Sequence, residues 1–481
     1  MPTPRPSIDA ARLLKDLRDL ARIGAWKTGV HRPTYSDDDM TARHWLTTRM
    51  TEAGLTPEID GIGNVIGRTT AAGPKLLLGS HLETQPHAGW LDGAMGVIYG
   101  LEVARTLGPT LGQQIEVGAW ADEEGHFGNF LGSRSFVRGI DGTEIAGTVN
   151  RHNGEKLADA LAHAGLADRP RAKLDPARYR GYLEAHIEQG DELDSSGLRL
   201  GVVTSIVGIW QYLIRFEGVQ NHAGTTRMAI RKDAGVALVR LAGAIDARFP
   251  QVAGPRSVWT TGRILLQPGA ASIVPGGAEM MFQFRDADPA RLEAMQQALQ
   301  DLVAEANARP CAVTLTNLSR STPMLMDAGF QGALERAAER NAPGMHIRMP
   351  SGAGHDAQIF AEKLPAAMLF VPSIGGISHH YAEDTRDEDL VLGCQVFSDA
   401  AAEILGGYDV GASNLPPVGQ RAWFSDSAPA SGDAPRHAGE CRHPRLLFVA
   451  LRQAVDTGIR RHDHACNADG SIIKAPGIKR R

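Results

Sequence analysis

The three leucines Leu76-Leu77-Leu78 stop at Gly79 and give way to a polar stretch that runs to Asp92-Gly93. The apolar run is short enough to be a buried strand, and the glycine ends it. A helix-spaced segment follows over Gly93–Arg105, then a second apolar run, Ile115–Trp120, ending in Ala121-Asp122-Glu123-Glu124-Gly125. Strand, helix and strand with polar residues at each strand end build an α/β sheet, whose ligands gather beyond the carboxyl ends of the strands. His81 and Glu83 sit two apart, so on extended backbone both side chains point the same way. A carboxylate there can hydrogen-bond the far nitrogen of a metal-binding imidazole and fix its tautomer. Asp92 lies just before the helix, after a loop able to swing it back toward His81.

The rest of the chain supplies more strand-end polar groups. Adjacent acids such as Glu123-Glu124 usually belong to a solvated surface. At the end of a buried strand, however, neighbouring residues diverge, so one carboxylate can bind a metal while the other reaches an activated water. Tyr182–Ile187 reads as another strand and carries His186, which on its own reads first as a satisfied core histidine. Amphipathic helices are expected from Ile8 to Leu20 and from Asp38 to Ala53, and a strand pair from Thr56 to Arg68. From Gly208 the texture changes. Strands over Ile209–Glu217, Val258–Leu266 and Ala278–Arg285, with helices over Lys232–Phe249 and Ala290–Asn307, predict a small α+β unit. The expected organisation is a catalytic α/β domain over 1–207 and 325–409, with an inserted lid or dimerisation domain over 208–324. The larger part resumes with a helix over Gly329–Asn341, a strand over Ala367–Val371, the loop Gly375–His380 and a last helix over Asp387–Leu405. Gly411–Arg445 is rich in Gly, Pro, Ser, Ala and Asp, and residues 410–481 read as a mostly disordered extension with one short helix, Leu446–Val455.

At 481 residues the chain is too long for one ordinary core, which makes two domains the expectation. A formal net charge of −5 argues against a nucleic-acid surface, which needs a basic stripe. No apolar run approaches the ~20 residues of a membrane helix, and the N-terminal stretch lacks the apolar centre of a secretory signal. The four cysteines, Cys311, Cys394, Cys441 and Cys466, have no zinc or redox spacing. A cytoplasmic protein is expected.

The ordered motifs GSHLET…LDG, ADEEG, EAHIEQG, QNHAGTTRM, FQFRD, SGAGHDA and GGISHH resemble the amidase/hydantoinase/carbamoylase branch of the zinc aminoacylase and carboxypeptidase superfamily. That branch includes N-carbamoyl-L-amino acid hydrolases, β-ureidopropionases and allantoate amidohydrolases. The resemblance spans about residues 8 to 408. It implies two divalent metal ions per subunit, zinc first, with manganese, cobalt or nickel also compatible with the ligand types. By resemblance, His81, Asp92 and His186 hold one ion, and Asp92, Glu124 and His379 hold the other. Glu123 is then the general base and His222 an oxyanion-stabilising histidine that reaches the partner subunit of a homodimer. Arg285 grips the substrate carboxylate, and Gln189, Gln211 and Ser272 face the substrate. Glu83 stands where the family usually has Asp, Arg227 replaces the usual Pro, and Ser272 sits where many members carry Asn. The implied activity is hydrolysis of a linear C–N bond, first the ureido group of an N-carbamoyl amino acid. Allantoate, another ureide or an N-acyl amino acid are the alternatives. A non-catalytic metal- or ligand-binding homologue is the reading from a different class, and it has no use for Glu123 or His222.

Overall fold

A computed structural model describes residues 7–108, 111 and 114–406 of the chain. The stretch 410–481, with the expectations attached to it, lies outside the described residues. The fold is mixed α/β. Its larger sheet has nine strands, in the order Met324–Leu325, Leu200–Ile206, Ala366–Val371, Tyr179–Ile187, Lys75–His81, Ile115–Trp120, Val65–Arg68, Thr56–Ile59, with His346–Ser351 paired to Leu200–Ile206. The four central strands, from Ala366–Val371 to Ile115–Trp120, run parallel. Apart from Arg180, every residue in these four strands is buried. This is why they read as continuous apolar runs and not as alternations.

Helices cover both faces. Ala94–Leu107 is almost wholly buried, with Ala10–Ala21 packed against it and Asp387–Ile404 beside it, where Gly393 lies against both Tyr99 of that helix and Val371 of the sheet. Several helix starts have a local cause. Ser36 caps Asp37–Glu52 by accepting from the Asp39 amide at 3.2 Å, and three aspartates occupy the first turn, where the helix dipole favours them. Asp233, Asp288 and Asp327 cap Ala234–Arg248, Pro289–Asn307 and Ala328–Asn341 in the same way.

Residues 208–320 form a second, four-stranded antiparallel sheet in the order Val258–Gln267, Gly277–Asp286, Gly208–Glu217, Ala312–Arg320. Along Gly277–Asp286 burial alternates strictly. Ala278, Met280, Phe282 and Phe284 face a separate apolar core shared with Leu238, Leu241, Ile245, Leu292, Met295 and Leu299 of its two helices. The opposite face therefore presents Glu279, Met281, Gln283 and Arg285.

The structure adds elements the sequence reading lacked: strands Leu200–Ile206, Ala312–Arg320 and His346–Ser351, and short helices Leu131–Val137, Gly142–Gly147 and Leu157–His163. Ala312–Arg320 is an edge strand, exposed over most of its length, and only Val313 and Leu315 turn toward the core, too short an apolar alternation to stand out. The short helices span too few turns for a periodicity to show. Among the described residues, no helix is long and apolar enough to cross a membrane.

Candidate active site

The parallel strands bring their carboxyl ends side by side, with His81 opposite Trp120 and Ile187 opposite Val371. The loops that leave them converge. His81, Asp92 and His186 offer ligand atoms within 4.8 Å of one another, and so do Asp92, Glu124 and His379. Asp92 belongs to both groups. Its Oδ1 lies 3.0 Å from His186 Nε2 and 3.5 Å from His81 Nε2, and its Oδ2 lies 3.2 Å from His379 Nε2. Burial opposes ionisation of Asp92, but the surrounding imidazoles of His186, His379 and His81 hold its carboxyl well below the usual range.

The imidazoles are set as ligands. His81 Nδ1 donates to the Glu83 carbonyl at 3.1 Å and His186 Nδ1 to the Ile187 carbonyl at 2.8 Å. The Gly93 amide donates to His186 Nε2 at 3.1 Å, which confirms that this nitrogen carries a lone pair. Gly93 has φ 66°, and a Cβ there would stand 2.3 Å from the His81 ring, so only glycine admits the close approach. Two nitrogen-bearing sets with shared and separate carboxylates suit borderline divalent ions. The residues present therefore fit the metal centre that the motifs imply.

A residue absent from the sequence reading holds the shared ligand in place. Glu383, 2% exposed, accepts from the Asp92 amide at 3.0 Å, the Leu91 amide at 3.2 Å and Ser378 Oγ at 3.0 Å. It thereby ties the Asp92 loop to the loop of His379. Gln85 does the same for Glu124, with its amide on Oε1 at 3.2 Å and Nε2 on Oε2 at 2.9 Å.

Glu123 lies beside the first group, its Oε2 3.7 Å from His81 Nε2. Burial pushes its carboxyl well above the usual range, helped by the charges of Glu124, Asp356 and Asp92 against the pull of His81. The expected bond from Glu83 to His81 is not formed, and this corrects the sequence reading. Glu83 Oε1 is 4.0 Å from His81 Nδ1 and instead accepts the Glu123 amide at 2.7 Å. The strand ends at His81, so the alternation that would align the two side chains no longer applies at Glu83.

The remaining candidates lie on two surfaces. Gln189 sits at the ligands, its Nε2 donating to Asp92 Oδ2 at 2.9 Å. Gln211, Gln283 and Arg285 share the helix-free face of the small sheet, where Gln211 pairs with Gln283 in register. Arg285 Nη1 donates to the Gly352 carbonyl at 3.0 Å and Nε to Gln283 Oε1 at 3.2 Å. No carboxylate pairs with it among the described residues, and burial lowers its pKa. His222 is exposed on a two-residue strand paired with Ile273–Val274. Its Nδ1 accepts the amides of Gly224 at 3.0 Å and Thr225 at 3.2 Å, which puts the ring proton on Nε2, facing outward as a donor. Ser272 stands beside it, its carbonyl accepting from the Ala223 amide at 2.9 Å. Among the described residues, neither His222 nor Ser272 hydrogen-bonds a metal-ligand candidate.

Comparison with known proteins shows the family. The profile of Peptidase family M20/M25/M40 matches residues 77–403. An N-carbamoyl-L-amino acid amidohydrolase of Geobacillus stearothermophilus is 32% identical over 81% of this chain and 97% of its own length. An allantoate amidohydrolase of Escherichia coli (strain K12) is 32% identical over 77% of this chain and 92% of its own. The crystal structure of an amidase (hydantoinase/carbamoylase family) from Burkholderia phymatum is 51% identical, covers 84% of this chain and 99% of its own, and superposes with a TM-score of 0.76. The chain therefore belongs to peptidase family M20/M25/M40 and, within it, to the hydantoinase/carbamoylase branch of hydrolytic amidases.

Proposed function

We propose that this enzyme hydrolyses the ureido group of an N-carbamoyl amino acid, adding one water and releasing ammonia, carbon dioxide and the free amino acid. The observation that carries the reading is the pair of three-residue ligand groups sharing Asp92, with Glu123 next to them at a strand end. Two divalent ions, zinc first, would acidify a shared water and polarise the ureido carbonyl. Glu123 takes the proton of the attacking water and returns it to the departing nitrogen. His222 Nε2–H donates to the oxygen that becomes negative as the carbonyl turns tetrahedral. Arg285 binds the substrate carboxylate with the guanidinium hydrogens left over from Gly352 and Gln283. Gln211 shares its sheet face, and Gln189 and Ser272 complete the proposed substrate contacts.

His222 and every ligand candidate are held by different sheets, so the proposal includes a homodimer in which residues 208–324 of one subunit cap the partner's cleft. Cys311 and Cys394 are free buried thiols, which suits a reducing compartment such as the cytoplasm. The relatives also include allantoate amidohydrolases at 32% identity, so allantoate, other ureides and N-acyl amino acids form the second reading. Metal-loaded protein assayed for ammonia release against N-carbamoyl amino acids, allantoate and N-acyl amino acids separates the two. Fastest release from an N-carbamoyl amino acid is expected. Release confined to allantoate, or cleavage of acyl amides alone, would transfer the assignment.

A further inference from the structure

We propose that Arg43 is a positioning residue for Glu123, acting through Glu83. The inference rests on Glu123 being the general base. Arg43 lies on the Asp37–Glu52 helix and its side chain is 0% exposed, as are those of Asp39 and Glu83. Its guanidinium contacts three groups at once: Nε lies 3.0 Å from Asp39 Oδ2, Nη2 lies 3.1 Å from Glu83 Oε2, and Nη1 donates to the Gly63 carbonyl at 2.5 Å. Asp39 is anchored in turn by the Tyr35 amide at 2.8 Å. The fork therefore fixes the rotation of the Glu83 carboxylate, and that rotation delivers Oε1 to the Glu123 amide at 2.7 Å.

The hydrogen bonds of the Glu83 carboxylate go to Arg43 and the Glu123 amide, while its backbone carbonyl, which Arg43 does not touch, is what His81 Nδ1 donates to. The turn that follows is held separately, because Asp122, at φ 58°, accepts the amides of His126, Phe127 and Gly128 on its own carboxylate. Within that turn the Glu123 amide is buried, and its partner is Glu83. The ligands have supports other than the Glu83 carboxylate: Glu383 for Asp92, Gln85 for Glu124, the Glu83 backbone carbonyl for His81 and the Ile187 carbonyl for His186. Loosening Arg43 therefore moves the base while leaving the ligand set in place. A lysine is a point charge that cannot span Asp39 and Glu83 with two fixed nitrogens, so the conservative change suffices to release Glu83.

The test uses the metal-loaded enzyme with the N-carbamoyl amino acid it turns over fastest, and compares R43K, E83Q, the double variant and E123Q. R43K and E83Q should each lose roughly tenfold to a hundredfold in kcat, the scale of a slight misplacement of a reacting group. KM should stay within about twofold, and metal content should equal that of the parent. The double variant should lose no more than the worse single one, because both changes break the same link. If R43K does not fold, E83Q is judged by the same split between kcat, KM and metal content. Parent-like kcat in R43K alongside an inactive E123Q would overturn this inference alone. Multiplicative losses in the double variant, or losses tracking metal depletion, would also overturn it. Parent-like turnover in E123Q would instead remove the base assignment on which it rests.

Discussion

Replacing Arg285 with lysine measures how the substrate carboxylate is read. The guanidinium carries five N–H hydrogens. The Gly352 carbonyl takes one from Nη1 and Gln283 takes the one on Nε. Three remain, one on Nη1 and two on Nη2, enough for a two-pronged grip on a carboxylate. Lysine at the same position reaches one oxygen only, so R285K forfeits about one charge-assisted hydrogen bond, worth ~1.5–3 kcal/mol. That converts to a roughly 10- to 150-fold loss in kcat/KM, carried mainly by KM because the carboxylate is bound alike in ground and transition states. The assay compares an N-carbamoyl amino acid with its C-terminal amide in both proteins. The acid should lose most of its advantage over the amide in R285K. An unchanged preference for the acid would show that another group reads the carboxylate.

Three further outcomes follow from particular contacts. A Cβ on Gly89 would stand 1.9 Å from Glu383 Oε1, so G89A should push Glu383 off the Leu91 and Asp92 amides and weaken metal binding about 10- to 100-fold by chelator competition. G243A, in open space on the Ala234–Arg248 helix, is the control and should gain about 0.5–1 kcal/mol of stability; unchanged metal affinity in G89A would show that Glu383 does not support the site. Metal uptake should release protons: burial opposes protonation of His379, but Asp92 and Glu124 carry its pKa up to about 9. In the metal-free protein the ring is thus charged below that pH and must lose a proton to bind. Because, against its burial, the neighbouring carboxylates also hold the His81 imidazole protonated, affinity should fall at least about tenfold per unit as pH drops from ~8 to ~6, and a pH-independent affinity would remove these histidines from the ligand set. Mixing E123Q and H222A subunits, each nearly inactive alone, should restore about a quarter of all sites if His222 acts across a two-fold dimer; no recovery after subunit exchange would place His222 elsewhere.

The elements that carry the site were legible because burial wrote them into the sequence. The Ile115–Trp120 strand is expected and observed with the same bounds, and the expected Asp38–Ala53 helix spans Asp37–Glu52. Strands buried on both faces must be apolar, and the polar residues that break them mark the sheet end where ligands collect. Supporting contacts were harder to read. Arg43 on an amphipathic helix looks like a surface charge, and only the tertiary fold places it between two buried carboxylates. Glu383 lies in an aperiodic loop, and nothing local tells that it reaches back across 291 positions to the Asp92 amide. Glu83 misled for a defined reason: a two-residue spacing implies a shared direction only while the chain remains extended, and here the strand has already ended.

The central claim is that Glu123 moves the proton while its neighbours hold the metal. The most direct measurement is kcat together with metal content in E123Q. The isosteric change keeps the backbone contact to Glu83 and alters no ligand candidate, so metal content should match the parent. Turnover of the N-carbamoyl amino acid should fall by about two to four powers of ten, the contribution of a lost general base. Near-parent turnover in fully loaded E123Q would contradict the account.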